Sequence, residues 1–427
     1  MLAAFGLLLA ACTTDTPPPP PPPAPLAPAR AGLDLSDFRF DDISVAFLAP
    51  LSGPQARLGE ALLQAVELAL FDAYDPRLKL RVYDSGAEPA IAAAAAQQAI
   101  DDGAAVILGP LFSASVQAVA PAALAAGVPV LAFSNDQAAA QPGVYVLGLQ
   151  PSDEVKRVVD YAIRQGGHRR FAALLPEGDY GAMVLDSLAA RLARGGGALH
   201  GVEIYPRDPQ GLNQPVRRLA QYERRRQWLE EERAFLRGLG EDDLAEELLE
   251  GLEERETWGE IGYDAVLIAE GGALLRSLAP LLPIYDVLPQ DVQFLGTGLF
   301  NDEGLRREPP LHGAWFAAPP GRAFDRFAAR FGDLHGRRPP QIAALAYDAM
   351  ALVGLLAREP VPQERFQPAA FTDPNGFAGV SGRFRLKASG VTEHLLTVME
   401  IAPEGLKVED PAPASFATPL LLGALGQ

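Results

Sequence analysis

Cysteine, clustered histidine and basic charge are all scarce in this sequence, and each shortage excludes a class of protein. The 427 residues contain one cysteine, so no disulfide can form within them. The five histidines lie far apart, and the spacings HExxH, CxxC and CxxH do not occur, which leaves little from which to build a transition-metal site. Acidic residues outnumber basic ones by 54 to 36, for a net charge of −18. We therefore expect no nucleic acid partner and no attraction to an anionic membrane surface.

Motifs of common enzyme classes are also missing. The sequence has no GxSxG and no glycine-rich loop followed by Lys and Ser or Thr, the patterns of many hydrolases and nucleotide-binding enzymes. The glycine triplet at 195–197 lies between a helical pattern and a strand pattern, where it turns the chain. We expect a protein that is not an enzyme and holds no metal or cofactor, although distant residues could still assemble a catalytic site.

The N-terminus has the pattern of a secretion signal. Residues 2–11 are an apolar run that ends in small residues directly before Cys12, and such a run is too short to span a bilayer of ~30 Å. The motif "LAAC" resembles the bacterial lipobox, which implies a signal peptide at 1–11 and lipidation of Cys12. The alternative is that Cys12 is an ordinary buried thiol.

A proline run separates this signal from the rest of the chain. Residues 17–23 are all proline, and such runs adopt an extended polyproline II helix without a core of their own. We interpret residues 12–40 as a spacer and expect the fold to begin near Ile43. At the other end, residues 403–427 are predicted to form a C-terminal tail.

Between these ends, apolar strand patterns alternate with helical patterns, and the series runs twice. Segments such as "ISVAFLAPL" and "AAVILGPL" are apolar throughout, as in parallel strands that are buried on both faces. Two successive series are too long for one sheet. We predict an α/β fold with two lobes, each a doubly wound, mainly parallel sheet with helices on both faces. The first lobe comprises 43–149 and 320–368, and the second comprises 150–319 and 371–402.

An ordered set of segments resembles a known family. The segments are "VAFLAPLSGPQARLGEALLQAVELAL", "LRVYDS", "AVILGPLFSAS", "VPVLAFSND", "LLPEGDYGAMVLDSL" and "GYDAVLIAEGG". Together they resemble the type I periplasmic binding fold of the leucine-binding protein class, from about Ile43 to Ile401. Within that superfamily, "AFSND", the charged stretch before "GYDAVLIAEGG" and the lipobox are most similar to the penicillin-binding protein activators.

This second resemblance carries functional implications. Penicillin-binding protein activators are outer-membrane lipoproteins that stimulate peptidoglycan synthases. The resemblance implies a periplasmic location in a Gram-negative bacterium, a membrane contact through the lipid anchor alone, and a peptidoglycan synthase as partner. The alternative is the substrate-binding protein of an ABC transporter for branched-chain amino acids or amides.

The cleft between the lobes is the expected place for a small ligand, because it lies outside the carboxyl ends of the strands. In amino acid receptors of this family, the turn at Ser113, Ala114 and Ser115 donates hydrogen bonds to the substrate carboxylate, as a helix N-terminus favours. The alternative is that Ser113 only caps the helix. Tyr180 matches the aromatic residue that flanks ligands in the second lobe. Further candidates on the cleft loops are Ser134, Asn135, Asp136, Glu270 and Phe300.

Two positions depart from the amino acid receptors. Asp136 would repel a substrate carboxylate, and the acid that usually receives the substrate ammonium falls on Gly298. We therefore expect the cleft to be retained and its chemistry for zwitterions to be altered.

A charged helical insertion at 207–262 interrupts the second lobe. Its apolar positions recur at helical spacing on both sides of a break near 238–240, which predicts a hairpin of two helices with one apolar stripe each. Two interpretations remain: a solvated hairpin that lies on the second lobe, or a docking arm for a protein partner.

Overall fold

A computed structural model of the chain describes residues 42–240 and 243–416. The predicted signal peptide, the spacer and Cys12 lie outside the described residues, as does the part of the predicted tail after residue 416. Within the described ranges, every helix is either too short or too polar to cross a bilayer.

The β-strands are numbered in chain order. They are β1 (Ile43–Ala49), β2 (Leu78–Asp84), β3 (Val106–Leu108), β4 (Val130–Ala132), β5 (Val144–Val146), β6 (Arg170–Pro176), β7 (Ala198–Tyr205), β8 (Ala265–Ile268), β9 (Gln293–Gly296), β10 (Trp315–Ala318), β11 (Phe377–Gly379), β12 (Gly382–Leu386), β13 (Thr392–Leu395), β14 (Thr397–Ala402) and β15 (Gly405–Asp410).

The α-helices are numbered in the same way. They are α1 (Ala56–Ala73), α2 (Pro89–Asp101), α3 (Ser113–Ala126), α4 (Pro151–Arg164), α5 (Asp179–Gly195), α6 (Asn213–Leu219), α7 (Tyr222–Gly238), α8 (Asp243–Glu253), α9 (Gly272–Leu278), α10 (Leu281–Ile284), α11 (Gly321–His335), α12 (Ala343–Leu356) and α13 (Pro368–Phe371).

The first lobe is built on a parallel sheet of five strands, in the order β2-β1-β3-β4-β5. Phe47 and Val45 of β1 face a core to which α1, α11 and α12 contribute. Ala46 and Leu48 face the opposite side, where the alanine-rich α2 packs against α3. Both faces of β1 are therefore buried, which explains why its sequence is apolar without alternation.

The second lobe contains a sheet of seven strands, in the order β15-β14-β10-β9-β8-β6-β7. Its strands β6 to β10 are parallel, and β14 and β15 add an antiparallel edge. Helices α4 and α5 cover one face, and α6, α9 and α10 cover the other. The predicted two-lobed α/β fold class is thus confirmed.

The segment after α12 differs from the predicted division. Phe371, Phe384 and Leu386 lie in the core of the first lobe, whereas residues 371–402 were expected in the second. The ring of Phe371 packs on Tyr145 of β5 at 5.3 Å between centroids. These large apolar side chains hold residues 371–386 against the first lobe, and the chain joins the sheet of the second lobe at β14.

The predicted C-terminal tail begins with a strand. β15 pairs antiparallel with β14 through a tight connection at 403–404 and becomes the edge of the second sheet. The polar residues of "GLKVED" alternate as in an edge strand with one solvated face. In the sequence alone, such a pattern is hard to distinguish from that of a tail.

The insertion contains three helices instead of the predicted two. Val216 and Leu219 of α6 are buried in the core of the second lobe, so α6 belongs to the lobe. A break at Gln221, whose φ is +50°, separates α6 from α7. Only α7 and α8 form a hairpin, with a small core of Leu229, Leu236, Ala245 and Leu252.

Candidate functional site

A cleft of about 1320 Å³ lies between the two lobes. The first lobe contributes the start of α3 and the loop after β4, and the second contributes the starts of α4 and α5 and the loop after β9. These four segments follow the carboxyl ends of parallel strands, which meet at one edge of each sheet, and residues of α11, α12, β14 and β15 extend the cleft beyond them. The cleft thus lies where the strand order predicts a ligand site.

The first-lobe wall is occupied by an aspartate of the protein itself. The Ser113 hydroxyl donates a hydrogen bond to Oδ2 of Asp136, and the backbone N–H of Ala138 donates to Oδ1 at 2.9 Å. Ser134 Oγ accepts from the Asp136 N–H at 3.1 Å. The Asp136 carboxylate therefore takes the hydroxyl donor that the resemblance assigned to a substrate carboxylate.

The other residues of this turn contribute less to the cleft. Ser115 is 1% exposed, and its hydroxyl has no hydrogen-bond partner among the described residues. Ala114 is exposed on the outer side of the turn, and neither Ala114 nor Ser115 lines the cleft. Asn135 does line the cleft and is exposed. Of the three residues in the predicted turn, the structure brings only Ser113 to the cleft.

The second-lobe wall is closed by a glutamate that the sequence patterns did not single out. Glu154 lies in the first turn of α4, and its Oε2 accepts a hydrogen bond from the Gly298 N–H at 2.8 Å. A Cβ atom at position 298 would overlap Oε1 of Glu154. Glycine at 298 therefore makes room for the Glu154 side chain, which fills the space of the expected acid.

Burial changes the titration of this glutamate. Removal from water raises the pKa of Glu154 to about 7, despite the opposing hydrogen bond from Gly298, and the neighbouring Asp153 raises it further. Burial likewise raises the pKa of Asp153 to about 6. The charge of the cleft on its second-lobe side thus varies with pH near neutrality.

Tyr180 lines the cleft beside Glu154, and its predicted contact with a ligand stays a prediction. Its hydroxyl hydrogen-bonds Thr297 Oγ1 at 2.8 Å, and burial raises its pKa to about 12. The phenol is therefore neutral, and its polar end is already paired within the lobe.

Two predicted candidates do not line the cleft. Glu270 is 2% exposed and accepts hydrogen bonds from the Tyr205 hydroxyl at 3.1 Å and from the Gly271 N–H at 3.0 Å. Phe300 is fully buried in the second-lobe core, 6.3 Å from the ring of Phe316. Phe300 is the last residue of a helical turn at 298–300, which places its ring in the core and against Gly296.

Sequence reasoning missed several charged residues of the cleft. Glu154, Asp302, Arg322 and Arg338 all line it. Asp302 is held by Arg276 at 2.5 Å, and Arg338 pairs with Asp325 at 3.2 Å. An acid in the first turn of a helix is common for electrostatic reasons alone, so Glu154 carried no distinguishing signal.

The polar atoms of the cleft are poorly placed for a free amino acid. A substrate carboxylate would meet Asp136, and a side chain at 298 that received an ammonium group is replaced by buried Glu154. Within residues 42–240 and 243–416, no group of three or more His, Cys, Asp or Glu side chains is arranged to hold a metal ion.

Comparisons with known proteins agree with this geometry. The model of a periplasmic binding protein family matches residues 42–223. The uncharacterized protein RP748 of Rickettsia prowazekii (strain Madrid E) is 27% identical over 180 residues, which are 42% of this chain and 47% of that protein. The match thus spans about half the length of this curated relative.

Solved structures match over most of the chain. A putative branched-chain amino acid ABC transporter protein from Rhodospirillum rubrum has a TM-score of 0.67 and 17% identity, covering 86% of this chain and 99% of its own. The branched-chain amino acid transporter substrate binding protein LivJ from Streptococcus pneumoniae, in complex with isoleucine, has a TM-score of 0.55 and 17% identity over 87% of this chain and 100% of its own. The described chain has the two-lobed α/β fold of the type I periplasmic binding proteins of the leucine-binding-protein class.

Proposed function

We propose that this protein is a non-catalytic periplasmic lipoprotein that binds and regulates a peptidoglycan synthase, in the manner of the penicillin-binding protein activators. The observation that carries the proposal is the hydrogen bond from Ser113 to Asp136. A receptor that captures free amino acids needs its first-lobe donors available for the substrate carboxylate. Here an internal carboxylate holds the Ser113 hydroxyl, and the same charge would repel a substrate.

The second lobe supports the same conclusion. Glu154 fills the space beside Gly298 and is paired with the Gly298 N–H at 2.8 Å. A ligand ammonium would have to reach a carboxylate that is only 7% exposed and whose pKa is about 7. The Ser113 hydroxyl and the Glu154 carboxylate are thus both bonded within their own lobes, which favours a scaffold over a receptor for amino acids.

A partner-binding role also agrees with the α7–α8 hairpin, which is fastened to the second lobe at its base. Arg225 donates to the carbonyl oxygens of Gly259, Tyr285 and Asp286 at 3.3 to 3.4 Å, and the Trp258 N–H donates to the Arg225 carbonyl at 3.0 Å. Beyond this base, α8 packs mainly on α7. The hairpin therefore offers a surface to a partner while the core of the second lobe stays intact.

The proposed location follows from the N-terminal sequence. "LAAC" resembles a lipobox, so we propose that Cys12 is lipidated, with residues 12–40 as the spacer between the membrane and the fold. We assign the anchor to the outer membrane of a Gram-negative bacterium.

Direct binding tests the proposal. The mature lipoprotein, in detergent, is measured against each purified peptidoglycan synthase of the same bacterium by surface plasmon resonance. We expect saturable binding to one synthase at about micromolar Kd or tighter, together with a faster glycan or cross-link formation by that enzyme. Absence of saturable binding to every synthase would overturn the proposal.

The anchor is tested separately, by replacement of Cys12. Each buried CH₂ of an acyl chain contributes ~0.8 kcal/mol to membrane binding, so a multiply acylated cysteine anchors a protein permanently. Cys12→Ala should block maturation or release the protein from the membrane, whereas Thr14→Ala should fractionate like wild type. A Cys12→Ala protein with wild-type mass and membrane fractionation would contradict the anchor.

A second function is favoured by the size of the cleft. A volume of about 1320 Å³, with apolar residues such as Phe112, Leu299 and Ile342 among its lining, is large enough for a small organic ligand. The relative from Streptococcus pneumoniae was solved in complex with isoleucine. The alternative function is therefore a substrate-binding protein of an ABC transporter for branched-chain amino acids or amides, and titration calorimetry with leucine, isoleucine and simple amides tests it.

A further inference from the structure

The far end of the hairpin carries four large apolar side chains in solvent. Phe235 is 61% exposed, Leu239 51%, Leu244 63% and Leu248 49%. We call these four residues the tip patch. Because 14 residues separate Arg225 from Leu239, at a rise of ~1.5 Å per residue the patch lies about 20 Å from the fastened base. Exposed apolar residues that gather at one place, instead of lying scattered, mark an interaction site.

The four residues lie on one face of the hairpin. Phe235 and Leu239 stand at offsets −1 and +3 from the core residue Leu236, and Leu244 and Leu248 stand at the same offsets from the core residue Ala245. Antiparallel helices are related by an approximate two-fold axis normal to their common plane. Equal offsets from the contact line therefore fall on the same face, so the two pairs form one patch.

The surroundings of the patch are acidic. Asp243, Glu246, Glu247 and Glu250 are exposed on α8, and no ion pair joins them to a basic side chain in the described part of the chain. By contrast, Arg233 of α7 pairs with Glu230 at 3.0 Å and donates to the Leu252 carbonyl at 2.7 Å. Arg233 is thus used inside the hairpin, whereas Arg237 is an exposed base in the last turn of α7. The four exposed acids of α8 outnumber it and remain for an outside partner.

The hairpin is rigid enough to present this patch. Its core of Leu229, Leu236, Ala245 and Leu252 is buried, and Arg233 holds the C-terminal end of α8 through three carbonyl oxygens, those of Leu252, Glu253 and Arg255. A pre-organised patch loses little conformational entropy on binding.

We propose that the tip patch docks into an apolar groove with a rim of Lys and Arg on a folded protein, the peptidoglycan synthase of the proposed function, on which this inference rests. The mode is a helix face in a groove, with apolar anchors at i and i+4. Charge complementarity selects this occupant, because unpaired acids around the patch attract a basic rim. The same acids repel an anionic membrane surface and a second copy of a chain whose net charge is −18.

The test uses two variants of the full-length mature lipoprotein, each with a matched control. Phe235→Ser/Leu248→Ser removes one anchor from each helix, and Phe71→Ser/Leu334→Ser removes two comparably exposed residues of the first lobe. Glu246→Gln/Glu247→Gln/Glu250→Gln neutralises the rim, and Glu67→Gln/Glu88→Gln/Glu364→Gln neutralises exposed acids elsewhere. All changes lie on solvent-exposed positions, so we expect each variant to melt within about 2 °C of wild type.

The expected result is a loss of synthase affinity confined to the hairpin variants. The double serine variant should bind at least ~10-fold more weakly. The triple glutamine variant should bind ~3- to 10-fold more weakly at low salt, and less so at high salt, because screening already removes its attraction. Both controls should bind like wild type. Wild-type affinity in the double serine variant would overturn the docking surface. The synthase would then bind elsewhere on the protein, and the proposed function would stand.

In-cell photo-crosslinking separates this inference from the proposed function. A photoreactive residue replaces Phe235, with Phe71 as the control position. A crosslink at 235 to a synthase, lost in the triple glutamine variant, supports both statements. A crosslink at 235 to another identified protein, with the same charge dependence, retains the docking surface and overturns the synthase. No crosslink specific to 235, or a crosslink to lipid or to a second copy, overturns the docking surface.

Discussion

The cleft and the hairpin differ in where their polar groups find partners. In the cleft, Asp136 is bonded to Ser113 and Ala138, and Glu154 is bonded to Gly298. On α8 of the hairpin, the acids are exposed and have no ion pair among the described residues. Burial forces pairing because an unsatisfied polar group in a dry wall costs about 1–3 kcal/mol. Asp136 and Glu154 are therefore occupied within the protein, whereas the acids of α8 remain available to an outside molecule.

The largest expected effect tests whether the hairpin is separate from the lobe. Replacing residues 227–256 with a short Gly/Ser turn should leave thermal unfolding almost unchanged, because Arg225 and Trp258 already lie side by side. Replacing 213–256 also removes Val216 and Leu219, which are buried in the second lobe, and should cost at least about 4 kcal/mol. Circular dichroism melts compare the two. A large loss of stability in the shorter replacement would make the hairpin part of the lobe.

This pair of deletions also shows what sequence patterns could predict. The alternation of strands and helices predicts the two-lobed class, because parallel strands buried on both faces need continuous apolar runs such as that of β1. The break between α6 and α7 was not predictable. Gln221 adopts φ +50° without glycine or proline nearby, and the apolar spacing of Leu219, Tyr222 and Leu229 continues across it.

The cleft likewise contains residues that the sequence predicted and residues that it did not. Ser113, Asp136 and Tyr180 were found because they follow predicted strands at the carboxyl edge. Glu154 was missed because its role depends on the contact with Gly298, which lies 144 residues away in sequence. Phe300 was misplaced by a single helical turn after β9. Long-range contacts and local turns of this kind leave no periodic signal.

The next prediction concerns the cleft, where the free energy of unfolding should depend on the ionisation of buried Glu154. Folding raises the pKa of Glu154 from 4.5 to about 7, so between these values the native state binds more protons than the unfolded chain. The favourable contribution is complete below pH 4.5 and is lost as pH rises through 7. Glu154→Gln keeps an acceptor for the Gly298 N–H and does not titrate. Between pH 4.5 and pH 8 the free energy of unfolding should therefore fall by up to about 3 kcal/mol less in this variant than in wild type.

Urea unfolding at a series of pH values measures this difference. Asp348, whose pKa burial also raises to about 6, titrates in both proteins and cancels in the comparison. Asp153 is coupled to Glu154, so the difference reports the titration of Glu154 together with this coupling. The exposed Glu67→Gln serves as control and should leave the pH profile parallel to wild type. Identical profiles for Glu154→Gln and wild type would mean that Glu154 is ionised and hydrated in the fold.

A smaller effect tests whether Gly298 makes room for Glu154. Gly298→Ala puts a Cβ where Oε1 of Glu154 lies, and overpacking of this kind costs about 1–3 kcal/mol. In a Glu154→Ala background the same substitution should cost much less, since the obstructing carboxylate is gone. The double-mutant cycle, measured by chemical unfolding, should give a coupling of about 1 kcal/mol or more. Additive costs would show that another neighbour fills the space.

The smallest expected effect is the change in melting temperature on addition of leucine or isoleucine, which should stay near zero. This measurement decides between the two proposed functions. A receptor with micromolar Kd gains about 4 kcal/mol from 1 mM ligand, since stabilisation follows RT ln(1 + [L]/Kd), which raises the melting temperature by many degrees. If Asp136 holds Ser113 and Glu154 fills the space beside Gly298, we expect a Kd above ~10 mM for leucine and isoleucine. The gain is then below ~0.1 kcal/mol, too small to detect by differential scanning fluorimetry.

The isoleucine-bound protein from Streptococcus pneumoniae is the positive control, because its melting temperature must rise with isoleucine under the same conditions. Ser113→Ala in this protein should respond to leucine as wild type does, with no shift. A rise of several degrees in wild type that Ser113→Ala abolishes would have a clear physical meaning. It would show that a substrate carboxylate displaces Asp136 from the Ser113 hydroxyl despite the repulsion between the two carboxylates. The cleft would then be an amino acid binding site.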